Sequence, residues 1–214
     1  MKYDFLIFDL DGTLVDSKDD LAKASNDLRA YYNLEPLDLE TIISFVGNGL
    51  KVLADNILPQ EYSQKEETLE KFIEFYDRCL TDTTKPYKGI IDLLESFDKS
   101  VKKAVLSNKS QDFTRRILDV LGLSRHFIEI WGGDNESGVK KPDPKVIYAL
   151  IDKTQSKIEN TIIIGDGIND IGVAKAAGIA SIGILYGFTP AETIVELKPN
   201  YLAKSPAEIK KILK

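Results

Sequence analysis

The sequence predicts an α/β fold, a parallel sheet covered by helices on both faces and interrupted by one all-helical insert. Three observations predict it. From Pro86 onward, short apolar runs alternate with amphipathic helical periodicity, the pattern of repeated strand–helix units. Those apolar runs are continuous rather than alternating, as strands buried on both faces are. Residues 15–84 carry three- and four-residue periodicity with no convincing strand.

The first element is a buried strand over residues 3–9, Phe5-Leu6-Ile7-Phe8 running into Asp9. Asp9 and Asp11 stand two apart, so if the strand continues through Leu10 both carboxylates leave on one side. Gly12 then permits a turn that other residues resist. Neighbouring carboxylates repel unless a cation or a shared proton relieves them; the alternative is a plain acidic turn after an edge strand. From Asp16 the period changes. Leu21, Ala24, Leu28 and Tyr31/Tyr32 mark a helix with Asp16 or Ser17 as its N-cap. Leu39, Ile42, Ile43 and Val46 mark a second, broken by Gly47-Asn48-Gly49. Leu50 to Leu58 form a third, stopped near Pro59, and Leu69 to Leu80 a fourth.

After the connector ending at Pro86, a helix is expected from Gly89, then a strand Lys103–Leu106 that ends at Ser107-Asn108. A helix through Phe113, Ile117, Val120 and Leu121 stops at Gly122. Ile128–Trp131 is a short strand, and Pro142-Asp143-Pro144 opens the next helix. Thr161–Ile164 is a strand ending at Gly165-Asp166, followed by a helix Asn169–Ala177 with Gly178 past its end. A strand over residues 179–185, a helix near 191–197, a short strand at Tyr201-Leu202 and a helix from Pro206 complete the chain. Ligands of such sheets bind beyond the carboxyl ends of the strands. Asp9, Ser107 and Asp166 all fall at that edge.

Composition narrows the chemistry. The 214 residues allow one large domain or a core with a smaller one, and 43% apolar with 29% charged residues is ordinary for a globular chain. A net charge of −6 gives no basic footprint for nucleic acid and no polybasic membrane patch. No apolar run approaches the roughly 20 residues a membrane span needs. Met1-Lys2-Tyr3-Asp4 leads into the first strand without a secretory pattern, so a cytoplasmic location is expected. Cys79 and His126 are each the single residue of their kind, which excludes intrachain disulfides, cysteine metal clusters, zinc–histidine clusters and histidine triads.

Four clusters carry the candidate chemistry. Asp9-Leu10-Asp11 and Asp166-Gly167-Ile168-Asn169-Asp170 put four acids at one sheet edge, a hard oxygen set that suits Mg²⁺. Alone, Asp166 and Asp170 read equally as an N-cap and a first-turn acid. Ser107-Asn108-Lys109-Ser110 lies between a strand and a helix, where a hydroxyl and backbone N–H groups can hold an anion; Ser107 as an ordinary cap is the alternative. Lys140-Lys141-Pro142-Asp143-Pro144 sets a cation against a helix start, where it is electrostatically misplaced. That favours a role in neutralising phosphate over a solvated lysine pair. Two motifs fail. Gly133 to Gly138 has Walker-A glycine spacing but Val139 follows where lysine is required, and Gly165 to Asp170 lacks the third glycine of a dinucleotide fingerprint.

In order and spacing these clusters resemble the four motifs of the phosphatase branch of the haloacid dehalogenase superfamily. Asp9-Leu10-Asp11-Gly12-Thr13 is similar to the first, Ser107-Asn108 to the second, Lys141 to the third and Gly165-Asp166…Asp170 to the fourth. The resemblance spans nearly the whole chain. It implies a Rossmann-like three-layer core, residues 1–14 and 86–214, with an all-helical cap domain inserted at 15–85. It implies that Asp9 forms an aspartyl-phosphate, that Asp11 serves as acid and base, and that Ser107 and Lys141 hold phosphoryl oxygens. Mg²⁺ would be held by Asp9, the backbone carbonyl of Asp11 and Asp166, with Asp170 ligating directly or through water. Gly12, Thr13, Asn108 and the cap residue Asn48 join the expected substrate contacts. Within the branch, Phe8 to Ser17, Phe45-Val46-Gly47-Asn48-Gly49, Ser107-Asn108-Lys109 and Gly132-Gly133-Asp134 are most similar to phosphoglycolate phosphatases. Pyrophosphatases and nucleotidases share the layout. A sugar phosphomutase fits less well, because no histidine stands near Asp20. The expected partner is a small phosphorylated substrate, with no nucleic acid or membrane, the protein being a monomer or homodimer.

Overall fold

The computed structural model describes residues 2–214. The chain divides into two compact units, Met1–Asp16 with Pro86–Lys214, and Ser17–Lys85.

The first unit begins with β1 (Phe5–Phe8) and the short β2 (Val15–Asp16). The second unit follows as α1 (Lys18–Tyr31), α2 (Leu39–Ser44), α3 (Leu50–Ile57), α4 (Gln60–Ser63) and α5 (Glu66–Arg78). The chain returns through β3 (Lys85–Pro86) and runs α6 (Ile90–Glu95), β4 (Lys102–Leu106), α7 (Gln111–Val120), β5 (Glu129–Trp131) and α8 (Lys145–Thr154). It closes with β6 (Thr161–Gly165), α9 (Ile168–Ala177), β7 (Ala180–Ile184), α10 (Ala191–Glu196), β8 (Tyr201–Ala203) and α11 (Pro206–Leu213).

Six strands form one parallel sheet in the order β5-β4-β1-β6-β7-β8. β1 lies between β4 and β6, with Phe8 opposite Val105 on one side and Ile164 on the other. All four β1 residues are fully buried. Alternate side chains of a strand leave on opposite faces, so both faces are covered. Phe5 and Ile7 pack with Val146, Ile147 and Leu150 of α8 and Val173 and Ala174 of α9. Phe8 leaves on the other face and meets Phe127 edge-on. The outcome is the parallel sheet covered on both faces that the apolar runs predict, and the Rossmann-like layered core that the resemblance implies.

The second unit is helical, as its periodicity predicts. Thr68, Phe72 and Tyr76 form the buried stripe of α5, at a spacing of four. Leu21, Ala24, Ser25 and Leu28 are the buried face of α1, which packs on α5. Asp38 caps α2, its carboxylate accepting from the Thr41 N–H at 2.8 Å. Asp20 is buried and accepts from the N–H and hydroxyl of both Thr83 and Thr84.

Several local expectations are corrected. β1 ends at Phe8, so Asp9 and Asp11 do not leave one continuous strand. The carbonyl of Leu10 instead accepts from the N–H groups of Thr13, Leu14 and Val15, and Gly12 takes φ +78°. The backbone therefore turns between the two acids. Of the two caps expected for α1, Asp16 or Ser17, it is Ser17 that holds the position. The insert was expected to lack strands, but β2 and β3 pair as a ribbon at its two ends. Two-residue strands are too short to show a period. The four-residue α4 escaped for the same reason.

Candidate active site

Asp9 sits one residue past the central strand, its N–H bonded to the Ile164 carbonyl at 2.9 Å. Ser107 follows β4 and its N–H bonds the Trp131 carbonyl at 2.9 Å. Asp166 follows β6. Three adjacent strands of one sheet thus deliver three side chains to the carboxyl edge. Carboxylate oxygens of Asp9, Asp166 and Asp170 lie within 4.8 Å of one another.

Lys141 binds this cluster together. Its side chain is 2% exposed, with Nζ 2.8 Å from Asp9 Oδ1 and 2.6 Å from Asp170 Oδ1. Asn108 donates from Nδ2 to the Lys141 carbonyl at 3.0 Å, which fixes the lysine backbone against the β4 loop. Lys140 is exposed. The misplaced cation at the helix start is therefore Lys141, and what holds it there is the pair of acids.

Asp166 is held from two sides. The Thr13 hydroxyl donates to Oδ1 at 2.9 Å, and the Phe188 N–H donates to Oδ2 at 2.7 Å. Gly12 closes over the same carboxylate: a Cβ there would stand 2.2 Å from Asp166 Oδ2. Both that approach and its positive φ require glycine. Asp170 lies in the first turn of α9 and accepts from the Gly167 N–H at 2.9 Å. Gly167, not Asp166, is the N-cap, so Asp166 is not explained as a capping residue.

Ser107 is likewise not the cap of α7. That role belongs to Ser110, whose hydroxyl accepts from the Phe113 N–H at 3.4 Å. Ser107 Oγ accepts from the Lys109 N–H at 3.2 Å. The Asp11 carboxylate stands apart from the acidic cluster, with Oδ1 3.0 Å from Lys109 Nζ. Asn48 is exposed between α2 and α3 and belongs to the other unit.

Electrostatics follow from this crowding. Burial, then Asp170, push the Asp9 carboxyl well above the usual carboxylate range, and Lys141 pulls against them. Burial, then Asp170, raise the Asp166 carboxyl to about 6. Burial works against the Lys141 charge, but Asp170 and Asp9 outweigh it and hold the ammonium above the ordinary lysine range. Three carboxylates facing one ammonium leave negative charge in excess. Hard oxygen donors with unbalanced charge fit a divalent cation such as Mg²⁺.

Three contributors escaped the sequence reading. Phe188 acts through its backbone, which no side-chain pattern announces. The Tyr186 hydroxyl donates to the Thr13 carbonyl at 3.1 Å and sits in a loop after β7. Lys109 had a signal, since it too is a cation just before a helix.

Comparison with known proteins places these features. The model of the haloacid dehalogenase-like hydrolase family matches residues 6–184. A phosphoglycolate phosphatase from Agrobacterium fabrum is 33% identical, over 97% of this chain and 93% of its own length. One from Aquifex aeolicus is 32% identical, over 97% and 95%. The crystal structure of a predicted phosphoglycolate phosphatase from Haemophilus somnus superposes with a TM-score of 0.91 at 28% identity, covering 100% of this chain and 99% of that one.

Proposed function

Because the chain belongs to the haloacid dehalogenase-like hydrolases and is a phosphatase of that family, we propose that it hydrolyses 2-phosphoglycolate to glycolate and phosphate through an aspartyl-phosphate on Asp9. One observation supports this most. Asp9 stands at the end of the central strand, among two further carboxylates and against the buried Lys141 ammonium. The substrate is carried over from the named relatives.

Asp9 attacks phosphorus; the new phosphorus–oxygen bond forms as the bond to the leaving oxygen breaks. Asp11 donates a proton to that oxygen, so glycolate leaves as an alcohol. Asp11 then takes a proton from water attacking the aspartyl-phosphate, which frees phosphate and restores Asp9. Ser107 and Lys141 hold the phosphoryl oxygens as charge shifts among them. Asn108 positions Lys141, and Thr13 positions Asp166. Asp9, Asp166 and Asp170, with the Asp11 backbone carbonyl, would hold Mg²⁺, whose charge when bound offsets that of the phosphoryl group.

The test is phosphate release from 2-phosphoglycolate, sugar phosphates, nucleotides and pyrophosphate, with EDTA and with Mg²⁺. The expected result is the highest kcat/KM for 2-phosphoglycolate, lost in EDTA and restored by Mg²⁺. A higher kcat/KM for pyrophosphate or a nucleotide overturns the substrate. Sugar phosphate isomerised without release of phosphate overturns hydrolysis as the main reaction.

A further inference from the structure

Lys109 has no role in the chemistry above, yet its ammonium is among the most enclosed charges of the unit. Its side chain is 5% exposed, and Nζ lies 3.0 Å from Oδ1 of Asp11, itself 12% exposed. It immediately precedes Ser110, the N-cap of α7, where the helix dipole disfavours a cation. The helix therefore does not explain the lysine.

The backbone beneath it is clamped. The Lys109 carbonyl accepts from the Gly133 N–H at 2.7 Å and from the Thr114 hydroxyl at 3.3 Å. Gln111 bridges to the loop after β5: its Oε1 accepts from the Gly132 N–H at 2.7 Å, and its Nε2 donates to the Ile130 carbonyl at 2.8 Å. Asp134 Oδ1 accepts from the Gln111 N–H at 2.5 Å. Gly132 allows this approach, since a Cβ there would meet the Gln111 backbone at 2.4 Å and the Lys109 carbonyl at 2.7 Å. Gly132-Gly133-Asp134 bonds to the 109–111 segment at three points. It holds the 109–111 segment at a fixed distance from the turn that carries Asp11.

We propose that Lys109 is a positioning residue for Asp11, with Gly132-Gly133-Asp134 as the clamp that sets it. The ammonium holds one carboxylate oxygen, which fixes the rotamer in which Asp11 meets the leaving oxygen. The role rests on the reading of Asp11 as the acid that protonates the leaving group.

Leaving groups separate this role from a structural one. An alkoxide needs a proton as it departs, whereas p-nitrophenolate departs without one. Lys109→Met and Lys109→Arg are compared on 2-phosphoglycolate, propyl phosphate and p-nitrophenyl phosphate. In Lys109→Met, kcat on both alkyl esters falls on the order of 100-fold further than on the aryl ester, the scale of a lost general acid; Lys109→Arg recovers most of the difference. Crystals of metal-free Lys109→Met show the Asp11 carboxylate displaced while Asp9 and Lys141 stay in place. Equal losses on all three esters overturn the proposal, as does an Asp11 that does not move. A loss confined to 2-phosphoglycolate overturns it too, by assigning Lys109 to the substrate carboxylate. Turnover surviving in Asp9→Asn sinks the aspartyl-phosphate reading but leaves this comparison valid, because it concerns the leaving group and not the nucleophile.

Discussion

The Thr13 hydroxyl donates to Asp166 Oδ1 at 2.9 Å, joining the turn after the first strand to the end of a strand 153 residues later. A buried carboxylate that keeps this bond is oriented before any cation arrives. Thr13→Val preserves the shape and removes the donor. It should weaken Mg²⁺ binding by about 10–100-fold, the usual effect of losing a partner behind a metal ligand. Isothermal titration with Mg²⁺ measures it; unchanged affinity would mean that the Phe188 N–H alone orients the carboxylate.

Lys141 is the cation shared by Asp9 and Asp170. Lys141→Met leaves the buried Asp170 and the part-buried Asp9 without it. Breaking a buried pair in this way costs about 3–5 kcal/mol. Urea unfolding of the metal-free protein at neutral pH should show that loss, and Mg²⁺ should recover part of it. An unaltered unfolding midpoint would show that the acids take up protons instead.

The Asp166 carboxyl, raised to about 6, gives a pH dependence with a definite sign. An aspartate in the unfolded chain titrates near about 4, so between those values the folded protein binds more protons. Its contribution to stability is complete below about pH 4 and is lost as pH rises through about 6. That deprotonation also creates the charge a divalent cation takes. The rise in Tm on adding Mg²⁺ should therefore be small near about pH 5 and larger near about pH 7.5. Calorimetry in EDTA and in Mg²⁺ at both pH values decides it, and equal rises contradict it.

Within the helical unit, Asp20 accepts from four donors on Thr83 and Thr84. Asp20→Ala strands two backbone N–H groups, each costing about 1–3 kcal/mol if buried and unpaired. The variant should unfold at lower urea, and hydrogen exchange at Thr83 and Thr84 should accelerate. Unchanged exchange there would show that water replaces the carboxylate.

Much of the fold is legible in the sequence. β1, β4, β6 and β7 are apolar runs buried on both faces, and such runs have few other stable uses. Gly122 and Gly178, which close α7 and α9 at positive φ, were readable as stops. The two-residue strands β2 and β3 and the short α4 were not, because a period needs length. Asp170 alone reads as a favourable first-turn acid. The candidate site was therefore legible from convergence, with Asp9 and Asp166 ending apolar runs at one sheet edge. It was also legible from Lys141, a cation set against a helix start where local structure gives it no reason to be. Lys109 met the same criterion.

Local sequence sets which residues end the strands, because hydrophobic runs terminate where a polar side chain appears. It also determines, through motif order, the family to which those ends belong. Tertiary structure alone decided who pairs with whom. The Leu10 turn parts Asp11 from Asp9, sending one to Lys109 and the other to Lys141. Such pairings depend on distances between strand ends far apart in the chain, and on backbone groups such as the Phe188 N–H that look alike at every position. Local periodicity holds neither kind of information.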